Sequence, residues 1–145
     1  MRGFDQKDYN KWDNTAKKAL VRVLQQEGHE IQRVSENFYA DVESKKDGET
    51  IYSEAEVKTA WSKDWPNNWE EIRIPGRKKR LLKKYNNKVT FYVFRKDLKQ
   101  VWRIKGEQLK DSNLKSAFGK NISHGEKFFH IPYQEAELVK VPDEL

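Results

Sequence analysis

The stretch FYADVESKKDGETIYSEAEVKTAW, residues 38–61, decides the fold. Its centre, Lys46-Asp47-Gly48, is a hairpin turn signal between two runs that carry β-branched and aromatic residues. We therefore predict two strands, over Phe38–Glu43 and Thr50–Trp61, that pair as antiparallel neighbours. The pairing can bring acidic side chains of the two strands to one edge of a sheet.

The acids that this pairing is expected to bring together are Asp41 and Glu56. Mg²⁺ prefers one or two carboxylates and keeps several waters, so Asp41 and Glu56 are candidate metal ligands. Lys58 points to the same face as Glu56, because side chains alternate along a strand. Lys58 can then orient an attacking water or stabilise an anionic transition state. Val57 points the other way, toward the core, and its backbone carbonyl is a further candidate ligand.

The pattern acid-x-Lys is weak when taken alone, since 36% of the residues are charged. It occurs at Asp5, Glu43, Glu56 and Asp97. Only the occurrence at Glu56 lies inside a predicted strand; the others lie in a polar N-terminus or run into turns. The site is therefore placed at Glu56-Val57-Lys58.

With this motif the chain resembles the PD-(D/E)xK nuclease superfamily, over roughly residues 12–105. The resemblance implies an α/β, restriction-endonuclease-like core, a mixed central sheet flanked by helices in the order α-β-β-β-α-β. Ala40 stands where a proline often precedes the family's aspartate. The predicted elements follow a similar order: a helix over Asp13–Glu27; strands over His29–Val34, Phe38–Glu43 and Thr50–Trp61; a helix over Pro75–Tyr85; and strands over Lys88–Arg95 and Val101–Lys105.

The resemblance implies a Mg²⁺-dependent DNA endonuclease, with Mn²⁺ as a substitute cation and a homodimer as the expected assembly. The spacing of Asp41 and Glu56 and the small size look most like the archaeal Holliday junction resolvases and related phage or restriction-type enzymes. A site-specific restriction or homing endonuclease is an alternative. So is a non-catalytic DNA-binding module, and a small protein whose basic segment meets an acidic partner is a third class.

Other acids compete for a place in the metal site. Asp13 lies one turn before an apolar stripe that runs from Ala16 to Leu24, so it either reaches the metal or caps the helix. Capping is the favoured interpretation. Glu43 and Glu54 share the register of Asp41 and Glu56, respectively, but solvated strand charges are the favoured interpretation of both.

The segment Arg73–Lys84 contains seven basic residues and no acid, and so carries the whole basic excess of a chain whose net charge is +6. Together with Pro75-Gly76, Leu81 and Leu82, it predicts a helix with an apolar side and a basic outer side. Such a face would contact phosphates; a solvated surface is the alternative. The predicted nucleic-acid-binding residues are Arg73, Arg77, Lys78, Lys79, Arg80, Lys83 and Lys84.

Three tryptophans, Trp61, Trp65 and Trp69, stand four residues apart, but Pro66 interrupts a helix there. Core packing over the open end of the sheet is the favoured interpretation. At most one, Trp65, is expected to stack on a nucleic-acid base.

Composition is typical of one small enzyme domain over residues 1–145, with 106–145 as a C-terminal elaboration. The absence of cysteine excludes disulfides and thiolate metal sites. No apolar stretch predicts a membrane span or signal peptide, which favours an intracellular setting. The elaboration is expected to hold a helix near Leu109–Phe118, an extended Phe128–Pro132, and a last edge strand or dimer contact over Ala136–Val141.

Overall fold

A computed structural model describes residues 6–35, 39–116 and 126–143, with side chains from residue 14 onward. The architecture is α/β: one long helix, a six-stranded mixed sheet and a second sheet of three strands. No helix within the described ranges is both long enough and apolar enough to cross a membrane.

The elements follow one another with short connections, several of them 3₁₀ turns. In chain order they are α1 (Gln6–Gln26), β1 (Glu30–Val34), β2 (Val42–Lys46), β3 (Glu49–Lys58), β4 (Glu71–Pro75), α2 (Lys79–Lys84), β5 (Val89–Arg95), β6 (Gln100–Lys105), β7 (Leu114–Ser116), β8 (Lys127–Pro132) and β9 (Glu137–Lys140).

The large sheet has the order β1-β2-β3-β5-β6-β9, and the small sheet has the order β4-β8-β7. All pairs are antiparallel except β3 and β5, which run parallel. A parallel pair needs a crossover connection. Here the crossover carries β4 and α2, so the chain between β3 and β5 builds the second layer.

The predicted hairpin is confirmed between β2 and β3. Asp47 and Gly48 both adopt positive φ, 52° and 80°, as a two-residue type I′ turn requires. The turn pairs Lys46 with Glu49, and the ladder runs without a bulge to Val42 opposite Ser53.

One face of the large sheet packs against α1. The predicted apolar stripe is confirmed, since Ala16, Leu20, Val23 and Leu24 are buried in this layer. Every second residue of β3 faces it, among them Ala55 and Val57. This layer therefore fixes which residues of β3 point toward the opposite face.

The opposite face is covered by the small sheet and α2. Ile72 and Ile74 of β4 and Leu81 and Leu82 of α2 are buried there against Phe91 and Val93 of β5 and their neighbours. Trp61 is buried in the same core.

Several predicted elements differ from the structure. α1 begins at Gln6 rather than at Asp13, and β3 ends at Lys58 rather than at Trp61. β2 begins at Val42, so Asp41 precedes the strand; residues 36–38 lie outside the described ranges. The helix predicted over Pro75–Tyr85 is shorter, because a 3₁₀ turn occupies its first residues. The strand β4, which was not predicted, precedes this turn and is stabilised by the burial of Ile72 and Ile74 on one of its faces.

No helix forms over the described part of Leu109–Phe118. Asp111-Ser112-Asn113, turn-forming residues, make a 3₁₀ turn, and Leu114–Ser116 pairs with β8 as β7. The last edge strand is confirmed as β9, which pairs with β6.

Leu20→Ala tests the contact between α1 and the sheet. Leu20 is 0% exposed, so we expect the substitution to lower the free energy of unfolding by about 2–5 kcal/mol, measured by urea denaturation. Leu138→Ala is the control, because Leu138 is 48% exposed and the change should fall within about 0.5 kcal/mol. Equal losses in the two variants would contradict the packing.

Candidate active site

The β2–β3 ladder sets Asp41 opposite Glu54, because Val42 pairs with Ser53 and Asp41 is the next residue outward. The backbone N–H of Asp41 donates to Glu54 Oε2 at 3.0 Å. The backbone N–H of Ala55 donates to Asp41 Oδ2 at 2.8 Å. Both acids are buried, at 7% and 6% exposure. The acid that the fold places beside Asp41 is therefore Glu54.

Each of these acids is approached by a lysine from a different layer. Lys17 of α1 places Nζ 3.6 Å from Asp41 Oδ1. Lys78, in the 3₁₀ turn before α2, donates from Nζ to Glu54 Oε1 at 2.6 Å. Both lysines are largely buried. Their charges offset part of the cost of burying two carboxylates.

Glu56 lies two residues beyond Glu54 and shares its face of β3, toward the small sheet. Within the described part of the chain, its carboxylate has no hydrogen bond. Burial raises the pKa of Glu56, although Lys78, Lys58 and Arg77 lower it. A half-buried carboxylate without a hydrogen bond is available to a cation or to a proton. Asp41, Glu54, Glu56, Lys17 and Lys78 are called the acid–lysine cluster below.

Burial raises the pKa of Asp41 to about 7, and the charge of Glu54 adds to the rise. The hydrogen bond from Ala55 and the charges of Lys17 and Lys78 oppose it. For Lys78, burial would lower the pKa, but the charge and hydrogen bond of Glu54 outweigh it and the pKa is raised. The cluster therefore holds Lys78 charged while Asp41 titrates near neutral pH.

Asp41 was predicted to pair with Glu56, but it lies opposite Glu54, two residues earlier on β3. Glu54, interpreted from sequence as a solvated strand charge, is buried, and that interpretation was wrong. The hairpin itself could have revealed this. With a two-residue turn at Asp47-Gly48, the residues opposite each other are counted outward from Lys46 and Glu49, and the count reaches Asp41 and Glu54 together.

Lys58 is not brought to Asp41. It lies four residues beyond Glu54, about 13 Å along the strand. Its Nζ lies 5.4 Å from the centre of the Trp69 ring. Burial and the nearby charge of Arg73 lower its pKa, against the attraction of Glu56. The lysine beside the acid pair is Lys78, which no spacing rule in the sequence connects to β3.

Of the other predicted ligands, Val57 does not join the acid pair. Val57 lies about 10 Å along β3 from Glu54, too far for its carbonyl to share a cation with Asp41. Asp13 lies well inside α1, so it does not cap the helix, and its side chain is outside the described residues. Glu43 lies on β2 opposite Tyr52.

The donor set fits a hard cation held by few protein ligands. Among the described residues, no group of three or more His, Cys, Asp or Glu side chains is arranged to hold a metal ion. Mg²⁺ is commonly held by one or two carboxylates with water completing its shell. Asp41 accepts one hydrogen bond and Glu54 accepts one on each oxygen, and because every carboxylate oxygen has two lone pairs, both acids keep lone pairs for a cation. Glu56 stands next to them on the same face.

The basic segment divides between the interior and the surface. Lys78 points inward to Glu54, so its predicted role on the outer face was wrong. Arg73 lies on β4, before the helix. Arg77 and Lys79 are exposed and lie near Glu126 and Asp111, at 3.6 and 2.9 Å. Arg80, Lys83 and Lys84 are also exposed.

The tryptophans pack on one another, as the favoured interpretation predicts. Trp65 meets Trp61 edge-on with ring centres 5.2 Å apart, and Trp102 at 5.6 Å. Its indole N–H donates to the carbonyl of Trp69 at 2.7 Å. Trp65 is half-buried, and its polar atom is already used.

Protein-family models give no match to this chain, and a search of curated proteins gives none either.

Asp41→Asn tests the buried carboxyl. Its pKa is 3.8 in the unfolded chain and about 7 in the fold. The fold thus binds the proton more tightly, and its stability falls as the pH rises between those values. We expect Asn to stabilise the protein by about 2 kcal/mol more at pH 8 than at pH 5, measured by urea denaturation.

The control for this pH dependence is Asp97→Asn. Asp97 is exposed, and its hydrogen bond with Arg95 lowers its pKa. It is ionised at both pH values, so its substitution should shift stability equally at pH 5 and pH 8. If Asp41→Asn changed the free energy of unfolding by the same amount at pH 5 and at pH 8, Asp41 would not titrate between these pH values.

Lys17→Met tests the contact between α1 and Asp41. Since the charge of Lys17 lowers the pKa of Asp41, its loss should raise that pKa above about 7. NMR titration of the Asp41 carboxyl carbon measures the shift. Lys18→Met, on the exposed side of α1, should leave the titration unchanged, and the same change in both variants would argue against a direct contact.

Proposed function

We propose that this protein is a metal-dependent nuclease that hydrolyses phosphodiester bonds in DNA, on a restriction-endonuclease-like core. The observation that carries the proposal is the buried pair Asp41 and Glu54, side by side at the end of a hairpin. Burying two carboxylates together costs stability, and charged groups buried at such a cost concentrate at functional sites.

The order of elements supports the same proposal. A helix, an antiparallel three-stranded unit, a helix and a strand parallel to β3 succeed one another, with β4 inserted before α2. The resemblance noted from sequence implies this order. It also implies an acid-x-Lys motif, but here the residue two beyond Glu54 is Glu56 and not lysine.

In the proposed mechanism, Asp41 and Glu54 would hold Mg²⁺, and the cation would supply positive charge to offset that of the phosphate and to make water a better nucleophile. Lys78 keeps its Nζ beside Glu54 and faces the developing negative charge. Glu56 would accept the proton of the attacking water at its carboxylate, because its raised pKa makes it a stronger base. The water oxygen would bond to phosphorus as the P–O bond to the leaving sugar breaks, and the leaving oxygen would take a proton from solvent. Lys78 thus takes the role that the motif assigns to Lys58.

Branched DNA is the first proposed substrate, by the resemblance to junction resolvases, and site-specific duplex DNA the second. A homodimer would supply two sites for cleavage of both strands. The exposed basic residues of α2 would bind phosphates of the same DNA.

A second candidate function is DNA binding without catalysis. It is favoured by one observation: Lys17 and Lys78 already neutralise charge at the acid pair. A protein that had no need of a cation could hold the acids in this way. Such a protein would bind DNA equally well in EDTA and never cut it.

Cleavage of labelled four-way junction, flap, single-stranded and duplex DNA with Mg²⁺ or Mn²⁺ tests the proposal. We expect Asp41→Asn and Glu54→Gln to lower the rate at least about 100-fold, because each removes a proposed metal ligand. Glu49→Gln, on an exposed part of the same strand, is the control and should cut normally. Intact substrates with every cation, together with binding in EDTA, would favour the second candidate.

Lys78→Met and Lys58→Met form a matched pair for the lysine role. The proposal expects a loss of about 100-fold for Lys78→Met, since it removes the charge nearest the acid pair. Lys58→Met should lose much less. Single-turnover rates with saturating DNA separate this effect from binding, and the reverse order would return the catalytic role to Lys58.

A further inference from the structure

A cleft opens between α1 and the end of β1. Its volume is about 760 Å³, within the range of about 300–1,000 Å³ that is typical of ligand sites. The described residues that line it are Asn14, Lys17, Lys18, Val21, Arg22, Val34 and Ser35.

The described lining carries three cations and no acid, although acids make up 23 of the 145 residues. Lys18 is exposed, and Arg22 donates from Nε to the carbonyl of Pro142 at 3.2 Å. A concave surface of one charge sign concentrates anions. Val21 and Val34 add an apolar wall, which suits a sugar or base rather than an inorganic ion alone.

Two contacts join this cleft to Asp41. Lys17, which lines the cleft, lies 3.6 Å from Asp41 Oδ1. Ser35, which also lines it, donates its backbone N–H to the carbonyl of Asp41 at 2.9 Å. An anion held in the cleft would therefore lie next to the acid–lysine cluster.

We infer that the cleft binds phosphodiester groups of the nucleic-acid strand next to the bond that is cut. This inference rests on the proposed function for the nature of the ligand, and it adds the path of the strand. Phosphates would meet Lys18 and Arg22, sugars or bases would lie on Val21 and Val34, and Lys17 would stand between the cleft and Asp41. The strand would then lead a neighbouring phosphate to Asp41.

The test is binding of a fluorescein-labelled 12-nucleotide single strand in EDTA, followed by fluorescence anisotropy across a salt series. Lys18→Glu and Val34→Glu place a negative charge in the cleft at exposed positions. We expect each to raise Kd about tenfold and to flatten the dependence of log K on log salt by about 0.7 per lost phosphate contact.

Two controls match these variants. Lys115→Glu makes the same charge change on β7, in the small sheet on the other side of the large one. Leu138→Glu adds the same charge on β9, the opposite edge strand from β1. Both should change Kd less than about twofold. If the cleft variants bind like these controls, the inference is wrong.

Competition separates the two sources of phosphate. An unlabelled tetranucleotide should displace the strand far better than a deoxynucleoside monophosphate at equal phosphate concentration. If the monophosphate competes equally well, the cleft takes free nucleotides and the inference is overturned. Because no cleavage occurs in EDTA, binding can fail while Asp41-dependent cutting persists, or persist while cutting fails, so the two proposals are tested separately.

Discussion

The register of the β2–β3 hairpin is the constraint on which the candidate site depends. The type I′ turn at Asp47-Gly48 sets it, and the unbroken ladder carries it to Asp41 and Glu54. A slip of one residue would turn Glu54 toward α1 and bring Ala55 to the opposite face. Both acids also hydrogen-bond to backbone of the neighbouring strand, so the same contacts that close the hairpin orient their carboxylates.

The cluster is assembled from four parts of the fold. α1 supplies Lys17, the segment just before β2 supplies Asp41, β3 supplies Glu54 and Glu56, and the 3₁₀ turn before α2 supplies Lys78. Burying charged groups is costly, and ion pairs seldom repay the cost in full. Charge concentrated in this way, with a carboxyl that titrates near pH 7, is the physical basis on which we propose catalysis.

The elements packed on the two faces of the large sheet supply different lysines to the acid–lysine cluster. The apolar stripe of α1 covers one face, and Lys17 of the same helix lies beside Asp41. On the other face, the parallel pairing of β3 with β5 requires a long crossover, and the crossover brings Lys78 over Glu54. The tryptophans complete this second core, which explains why so polar a chain keeps them. The proposed strand path would lie along the α1 side, with Asp41 between the two layers.

Local sequence determined the features that depend on neighbouring residues. Alternation and turn chemistry predicted β1, β3, β5 and β6, the hairpin between β2 and β3, and the apolar stripe of α1, because period and φ preference act over a few residues. Counting residues outward from the turn at Asp47-Gly48 would also have predicted that Asp41 lies opposite Glu54. Tertiary structure decided the rest. Lys17 and Lys78 reach the acids only because α1 and the crossover pack on opposite faces, and β4 and β7 became strands only because β8, far along the chain, pairs with both.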